Sequence, residues 1–416
     1  MINSRGKRDT ALLKMAKVRK SSEVEEEKNQ NQVLVPYLPK DCIFNILVRL
    51  PFSSLLTSRM VCKQWYNIIK SQVFIESHLR RSESVFICQT LLKENSDNFQ
   101  MASTSTEKPH IFSLESCFES SSSVPYLWHL NQQKFSLQYT EFNDCKSKKE
   151  EYNVSCHGKV RATCNGLILL TSKLDKDRLI VLNCVTRKLT SPPLGTVFPS
   201  NKESYGFVLS NRTGEYKVIH LFCDNLRYVG CEVLTLDKRT WRAVDGPSFG
   251  LLKWFGHTPV SAIGALHWLP QIGQSEYIVS MEVDEEKFHI VTLPKTCSKF
   301  DGIIELKSLL AFVTHDEFNQ IDIWILKGVK EDEWMKHHSI TVGCLWDMIP
   351  VFSLKISEKV VFWRQEERSF YQYDFLLEEM IQLEMDEDIG FLPSSSFLPH
   401  VNSLVSWSSK DAQKFV

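Results

Sequence analysis

VPYLPKDCIFNILVRLPFSSLLTSRMVCKQWYNIIKSQVFIES, residues 35 to 77, is the stretch on which the rest of the chain depends. It reads as three short helices. Pro39 suits an early helical position, where the N–H that proline lacks would be left without a partner. Ile43, Ile46, Leu47 and Leu50 then follow at i, i+3, i+4 and i+7, one stripe of a 3.6-residue period. Pro51 ends this helix, and Ser53 or Ser54 caps a second short turn carrying Leu55 and Leu56. A third helix turns Val61, Cys62, Trp65, Ile68 and Ile69 inward, with Lys63, Gln64 and Asn67 outward. About 40 residues rarely bury enough surface to fold securely alone without a staple, and no metal pattern or cysteine pair supplies one. Phe44, Leu47, Leu50, Pro51 and Leu56 leave more apolar surface than three short helices can cover. Either a partner protein or the remainder of this chain must cover it.

The segment resembles an F-box. That family runs Leu-Pro, an acidic residue two after the proline, an Ile/Leu-rich helix, a second Leu-Pro, and then Arg-x-Val-Cys-Lys-x-Trp. Here the matching residues are Leu38-Pro39, Asp41, Ile43, Ile46, Leu47, Leu50-Pro51, Arg59, Val61-Cys62-Lys63 and Trp65. The resemblance implies docking on a Skp-type adaptor of a cullin-based ubiquitin ligase. It implies an adaptor-binding face made of Leu38, Pro39, Ile43, Leu47, Leu50, Pro51 and Leu55. Ile46, Val61, Cys62 and Trp65 are then expected to form the F-box core.

With 416 residues, two domains are expected rather than one. Apolar content is 43% and charged content 24%, ordinary for a soluble globular chain. A net charge of −1 gives no global field that would favour nucleic acid or a membrane surface. The 12 cysteines include no C-x-x-C and no zinc-like spacing, and most lie in apolar runs where a thiol acts as a small hydrophobe. Reduced thiols place the chain in the cytoplasm or the nucleus or both. No apolar run reaches the ~18 residues of a membrane span. The basic residues of the first twenty positions argue against a secretory signal.

Residues 1–32 are first basic, then acidic, then polar, and read as a disordered charged tail. KMAKVRK within it matches a nuclear import signal in composition, but a solvated charge run is the favoured reading. The F-box spans 33–80, with VFIESHLRRS as a further helix leading out. From Ser84 the texture becomes strand-like, with loops at ENSDNFQMASTSTEKP and ESCFESSSS. After residue 155, runs of five to eight residues alternate with turn signals. Units of an apolar strand, a charged turn and an aromatic strand recur roughly every 50 residues, as in propeller repeats. VLTLDKRTWRAV and SMEVDEEKFHIVTLP are examples. The expected architecture is therefore α+β and multidomain: a small N-terminal helical F-box, then a mostly-β propeller of about six blades over 85–406, and a tail over 407–416.

The same region resembles the F-box-associated domain of plant F-box proteins, which is similar to kelch propellers. The matching pieces are Cys164-Asn165-Gly166-Leu167-Ile168, Asn183-Cys184-Val185-Thr186-Arg187, Tyr205-Gly206-Phe207 with Tyr216-Lys217-Val218-Ile219, Trp241-Arg242, Gly264-Ala265-Leu266-His267-Trp268, and Ile323-Trp324-Ile325-Leu326 followed by Trp334. No Gly-Gly pair of kelch repeats proper occurs, and residues 85–155 match weakly.

No phosphate-binding glycine loop, nucleophile elbow or H-E-x-x-H motif occurs, so no catalytic residues, cofactor or metal site are expected. His315-Asp316-Glu317 reads as an exposed turn. His337-His338 has no third ligand in sight. Asp284-Glu285-Glu286 reads as a hairpin turn, and His267-Trp268 as core. Cys62, placed inward, is not expected to react. The chain is expected to be a non-catalytic receptor. Its F-box would dock on a Skp-type adaptor, and through it on a cullin, while the propeller holds a protein target for ubiquitination and degradation. The alternative is an interaction module whose F-box serves another partner outside such a ligase.

Overall fold

Antiparallel meanders dominate the chain, because apolar strand-length runs and tight turns alternate almost without interruption after the first helices. The computed structural model of the protein describes residues 38–82, 84–90, 110–112, 126–131, 136–143, 146–153, 158–172, 179–186, 188–197, 202–223, 228–247, 258–270, 274–316, 320–343, 347–356, 358–383 and 395–407. The charged tail, the import-like KMAKVRK, the loops ENSDNFQMASTSTEKP and ESCFESSSS, and nearly all of the C-terminal tail lie outside these residues. The chain divides into two units, Met1–Leu47 and Val48–Val416.

The first unit contains α1 (Lys40–Leu47), opened by the Pro39 carbonyl, which accepts from the N–H of Cys42 and of Ile43 at 3.0 and 3.1 Å. Ile43 and Leu47 are buried one turn apart, while Ile46 faces out at 48% exposure. The second unit begins with α2 (Phe52–Ser58), α3 (Lys63–Lys70) and α4 (Gln72–Arg81). The N-cap of α2 is Pro51, so the helix starts ahead of Ser53 and Ser54, where a cap was expected. The Cys62 sulfur instead caps α3, accepting from Trp65 N at 3.5 Å. Ser71 joins α3 to α4: its hydroxyl donates to Ile68 O at 2.7 Å and accepts from Phe74 N at 3.3 Å.

The strands follow in chain order. The first five are β1 (Ser84–Thr90), β2 (His110–Phe112), β3 (Tyr126–Asn131), β4 (Ser136–Asn143) and β5 (Lys146–Asn153). Blade I holds β6 (Gly158–Cys164), β7 (Leu167–Ser172), β8 (Leu179–Asn183) and β9 (Lys188–Thr190). Blade II holds β10 (Glu203–Leu209), β11 (Tyr216–Cys223), β12 (Val229–Thr235) and β13 (Thr240–Val244). Blade III holds β14 (Val260–Ala262), β15 (Ala265–Trp268), β16 (Tyr277–Glu282) and β17 (Lys287–Thr292). Blade IV holds β18 (Gly302–Leu306), β19 (Leu309–His315), β20 (Gln320–Leu326) and β21 (Trp334–Thr341). Blade V holds β22 (Met348–Leu354), β23 (Lys359–Arg364), β24 (Ser369–Asp374) and β25 (Glu379–Leu383), and β26 (Ser395–Val401) ends the series.

Five four-stranded blades therefore stand where about six were expected. The remaining sheet has six strands, in the order β26-β1-β2-β3-β4-β5. The stretch expected to form an ordinary first blade thus joins the C-terminal strand instead. β26 touches β22 on one side and β6 on the other, so this sheet stands between blades V and I.

Burial falls from the first three strands of a blade to the fourth: β11 is almost entirely buried, whereas β13, β17 and β25 alternate with solvent. The first strands thus carry apolar residues on both faces, and stacked blades bury them. Each neighbouring pair shares one apolar cluster. Leu169 and Val181 meet Phe207 and Val218 between blades I and II. Leu221 and Val233 meet Trp268 and Met281 between II and III. Ile278 and Val291 meet Phe312 between III and IV. Val313 and Ile323 meet Val360 and Phe362 between IV and V. Fourth-strand tryptophans tie blades at the rim: Trp241 Nε1 donates to Pro193 O at 2.9 Å, and Trp334 Nε1 to Thr292 O at 2.7 Å.

The seam is held by the C-terminal segment. β26 pairs with β1 from Ser84↔Val401 to Thr90↔Ser395. Asn183 of blade I, 1% exposed, donates through Nδ2 to Ser403 O and Val405 O at 3.1 and 2.9 Å. Its Oδ1 accepts from the N–H of Val185 and Thr186 at 2.9 and 3.0 Å. Gly166, at φ +86°, passes so close to this segment that a Cβ would stand 2.2 Å from Ser403 Oγ and 2.8 Å from Val401 O. Asn183→Ala strips three buried backbone groups and one part-buried group of partners and is expected to cost about 2–4 kcal/mol. Urea unfolding followed by tryptophan fluorescence measures it, and a loss below about 0.5 kcal/mol, the scale of an ordinary surface change, would show that the seam does not depend on this side chain.

Candidate functional site

The helical region exposes a different set of residues from the one expected. Leu38 is 52% exposed, Pro39 and Pro51 are exposed, and Leu50 is half-buried. Ile43 (7%), Leu47 (0%) and Leu55 (0%), expected on the adaptor face, are core residues. Conversely Ile46 (48%), Val61 (61%) and Cys62 are exposed, against their expected place in the core, and Met60 beside them is 85% exposed. Trp65 is half-buried. The physical reason is the helical phase. Once Ile43 and Leu47 share the inner face, Ile46 lies about 100° away from Leu47. Val61 and Cys62 precede α3 and are not part of its inner face, which Ile68 and Ile69 supply.

The second unit has two unlike ends. In a four-stranded meander the turns between strands one and two and between strands three and four lie at one end. The turns between strands two and three, and the connections between blades, lie at the other. The first end carries tight turns with left-handed residues, among them Asn165, Ile263, Lys307, Arg239, Glu286 and Asp332. These turns are bonded blade to blade. Ser210 Oγ donates to Asp284 Oδ1 at 2.5 Å, Lys217 Nζ to Glu286 Oε1 at 2.9 Å, and Ile263 N to Ser308 O at 3.2 Å. Lys307 pairs with Glu358 at 2.6 Å. Helix α4 lies against this end, with Ile75 and Leu79 packed on the cluster that holds Leu236 and Val405. The opposite end is where connections 173–178, 198–201, 224–227, 248–257, 271–273, 317–319 and 344–346 leave the described residues.

An F-box domain model matches residues 36–77, and an F-box associated beta propeller domain model matches residues 113–372, more than half of the chain. The chain belongs to the F-box proteins that carry an F-box-associated β-propeller. F-box/LRR-repeat protein At2g43260 of Arabidopsis thaliana is 25% identical, over 83% of this chain and 73% of its own length. F-box protein At3g07870 of the same plant is 25% identical, over 73% and 72%. Among solved structures, the SapL1 lectin in complex with alpha methyl fucoside is similar at a TM-score of 0.38 and 10% identity, covering 64% of this chain and 94% of the lectin.

This F-box protein contains one dense buried ionic cluster that its motifs did not announce. His220, fully buried on β11, lies 2.8 Å from Glu232 Oε1 and 3.3 Å from Glu203 Oε2. Arg161 of blade I reaches Glu203 at 2.5 Å, and Tyr205 stacks on the imidazole at 4.2 Å. Thr196 N and Oγ1 both donate to Glu232. Burial alone would lower the His220 pKa, but hydrogen bonds to the two carboxylates outweigh it and raise the pKa above its ordinary value. Burial would raise both carboxylates, yet His220, with Arg161 beside Glu203 and Thr196 beside Glu232, holds each below its ordinary range. Two cations face two anions, each with a partner, which describes an inter-blade joint. The available signal was a histidine and a glutamate inside the apolar strands VIHLFC and GCEVL.

The other polar candidates are also held in structural roles. His315 does not lie on an exposed turn as expected. It is nine-tenths buried at the end of β19, with Nδ1 3.0 Å from Asp301 Oδ1, and its backbone N donates to the same oxygen at 2.7 Å. His338 Nε2 lies 2.8 Å from Tyr373 OH, joining blades IV and V. Asp284 and Glu286 are the inter-blade ties already described. His267 is buried, with Nε2 3.2 Å from Ala262 O and Nδ1 2.7 Å from Ser280 Oγ, while Trp268 Nε1 donates to Ser204 Oγ at 3.1 Å. Among the described residues no group of three or more His, Cys, Asp or Glu is placed to hold a metal ion.

Burial holds His267 and His400 near a pKa of about 4, below the 6.5 of an unfolded imidazole. The unfolded chain therefore binds protons first as the pH falls. Stability is expected to drop between pH 6.5 and 4, by about 3 kcal/mol for each of these two histidines. The raised His220 acts in the opposite sense: its contribution is complete below pH 6.5 and is lost as the pH rises through its folded value. Urea midpoints measured at pH 7, 5.5 and 4.5 test this, and a flat profile over that range would contradict it.

Proposed function

We propose that this F-box protein is the substrate-recognition subunit of an SCF-type ubiquitin ligase. Its F-box docks on a Skp-type adaptor, and through it on a cullin, and its propeller holds the target protein. The observation that carries the reading is the apolar surface left on the F-box: Leu38, Ile46, Met60 and Val61 are about half exposed or more, although a soluble chain gains by burying them. The adaptor-facing residues on this reading are Leu38, Pro39, Ile46, Leu50, Pro51, Met60 and Val61. Ile43 and Leu47 of the first unit and Leu55 of the second are buried and do not belong to this surface. The target sits at the end of the propeller opposite α4, where the long connections join the blades, since loops on a rigid scaffold are the usual place for variable recognition.

The role is non-catalytic. Holding a target beside a ubiquitin-charged enzyme raises its effective concentration, and that alone accelerates transfer. Cytoplasm, nucleus or both is the proposed location, and the polar N-terminal stretch 1–32 and the 407–416 tail are proposed to lie outside the two folded parts.

Ile46→Asp combined with Met60→Asp puts charge on exposed positions, so the protein should fold with its thermal midpoint within a few degrees of wild type. Adaptor co-purification is expected to fall at least about tenfold, as for charges buried unpaired at an interface. Leu47→Asp, by contrast, should unfold the F-box outright. Undiminished adaptor binding by the folded double variant would overturn the assigned face. Adaptor binding with no cullin in the complex would point to an interaction module outside such a ligase.

A further inference from the structure

A cleft of about 590 Å³ opens where the helices of the second unit meet the tied end of the propeller. Three elements wall it: the segment before α2 with Arg49, the last turn of α4 with His78, Arg80 and Arg81, and the propeller with Ile356 and Asn402. Among the described residues no Asp or Glu lines it. All three arginines are exposed, and among the described residues none of them takes part in an ion pair. The dipole of α4 accounts for Arg80 and Arg81 at its C-terminus. It does not account for Arg49, which comes from outside that helix and turns to the same space. Three guanidinium groups with no carboxylate beside them among the described residues repel one another, and an anion between them removes the repulsion.

The frame behind these arginines is fixed. His78 Nε2 lies 3.0 Å from Leu50 O, so α4 is tied to the segment that carries Arg49. The Ser82 hydroxyl spans from His78 O at 3.0 Å to His78 Nδ1 at 3.3 Å. With a backbone carbonyl on one nitrogen and a hydroxyl on the other, His78 has no free edge for a ligand. The binding groups are therefore the three arginines. The planar fork of each matches two oxygens of a phosphate better than it matches a single point charge. The volume lies in the range of small-molecule sites and is too small for a folded domain.

We propose that this cleft binds a small polyanion bearing two or more phosphate groups, held by Arg49, Arg80 and Arg81, and that the bound anion locks α4 and the segment before α2 onto the propeller.

The test uses the full chain, with sodium tripolyphosphate as the probe, at low ionic strength. Tripolyphosphate is expected to raise the melting temperature saturably, and to bind at least about tenfold more tightly than sulfate in calorimetry. Arg49→Gln, Arg80→Gln and Arg81→Gln together should abolish both effects. A control variant, Lys238→Gln with Lys287→Gln, removes exposed positive charge elsewhere and should retain them. Should the triple variant fail to fold, Arg81→Gln alone must weaken binding several-fold. Tripolyphosphate must also slow hydrogen exchange across 72–82 in the wild type. ATP and inositol hexakisphosphate, run in parallel, distinguish a nucleotide from a cyclitol phosphate as the source of the phosphates. Equal binding by wild type and the arginine variants, an equal loss in the lysine control, or unchanged exchange across 72–82 would each overturn the proposal.

Discussion

A ring of blades stays shut only if its seam costs more to open than thermal motion supplies, and here the seam is the pairing of Ser84–Thr90 with Ser395–Val401. The contacts between the blades lie within the ring that this pairing closes. The clusters between blades I to V bury residues such as Phe207, Phe312 and Phe362, and no blade can cover those faces alone. The seam is reinforced from inside blade I by Asn183, whose amide bonds to Ser403 and Val405 while its carbonyl oxygen holds its own turn. Gly166 gives the closing segment room, and any larger residue there would meet Val401 and Ser403. The Cys-Asn-Gly-Leu and Asn-Cys-Val-Thr-Arg elements of the family thus have a mechanical meaning: both meet the end of the chain.

Several ion pairs of this F-box protein act as joints between blades. Lys217 with Glu286, Arg161 with Glu203, and Lys307 with Glu358 each cross from one blade to the next. Where such pairs are buried, as around His220, they do not by themselves make a protein more stable than apolar residues would, but they penalise misalignment, since a blade shifted by one residue would leave a buried charge alone. The tied end is therefore the stiff end, and α4 is anchored on it. Ile75 and Leu79 make that contact, so α4 and the propeller share core.

Much of this was legible in sequence, for identifiable reasons. Strand runs such as YKVIHLFC and IDIWIL alternate with turn residues so regularly that the blades could be marked before any coordinates. Leu38-Pro39 and Leu50-Pro51 bracket the first helix as expected. What pattern could not show was phase. Ile43, Ile46 and Leu47 all fit one apolar stripe, and only packing separates Ile46 from the other two. Nor could it show the odd sheet: β1 to β5 pair in chain order, but the other partner of β1 is β26, which follows all five blades in the sequence. His220 and Glu232 were overlooked because a lone charge in an apolar run reveals its partners only in three dimensions. His315 was misplaced for the same reason, since Asp301, not the neighbouring Asp316, holds it.

The seam also sets an order of events. Ser84 finds its partner Val401 only after about 300 further residues have been synthesised, a very long loop to close. Until then the blades can form hairpins and stack, but the faces on either side of the gap stay open to water and to other chains. A propeller of this kind is at its most vulnerable while that last pairing is still missing. Truncations that remove only the last strand should therefore act as lesions of the whole domain, not as trimmed ends.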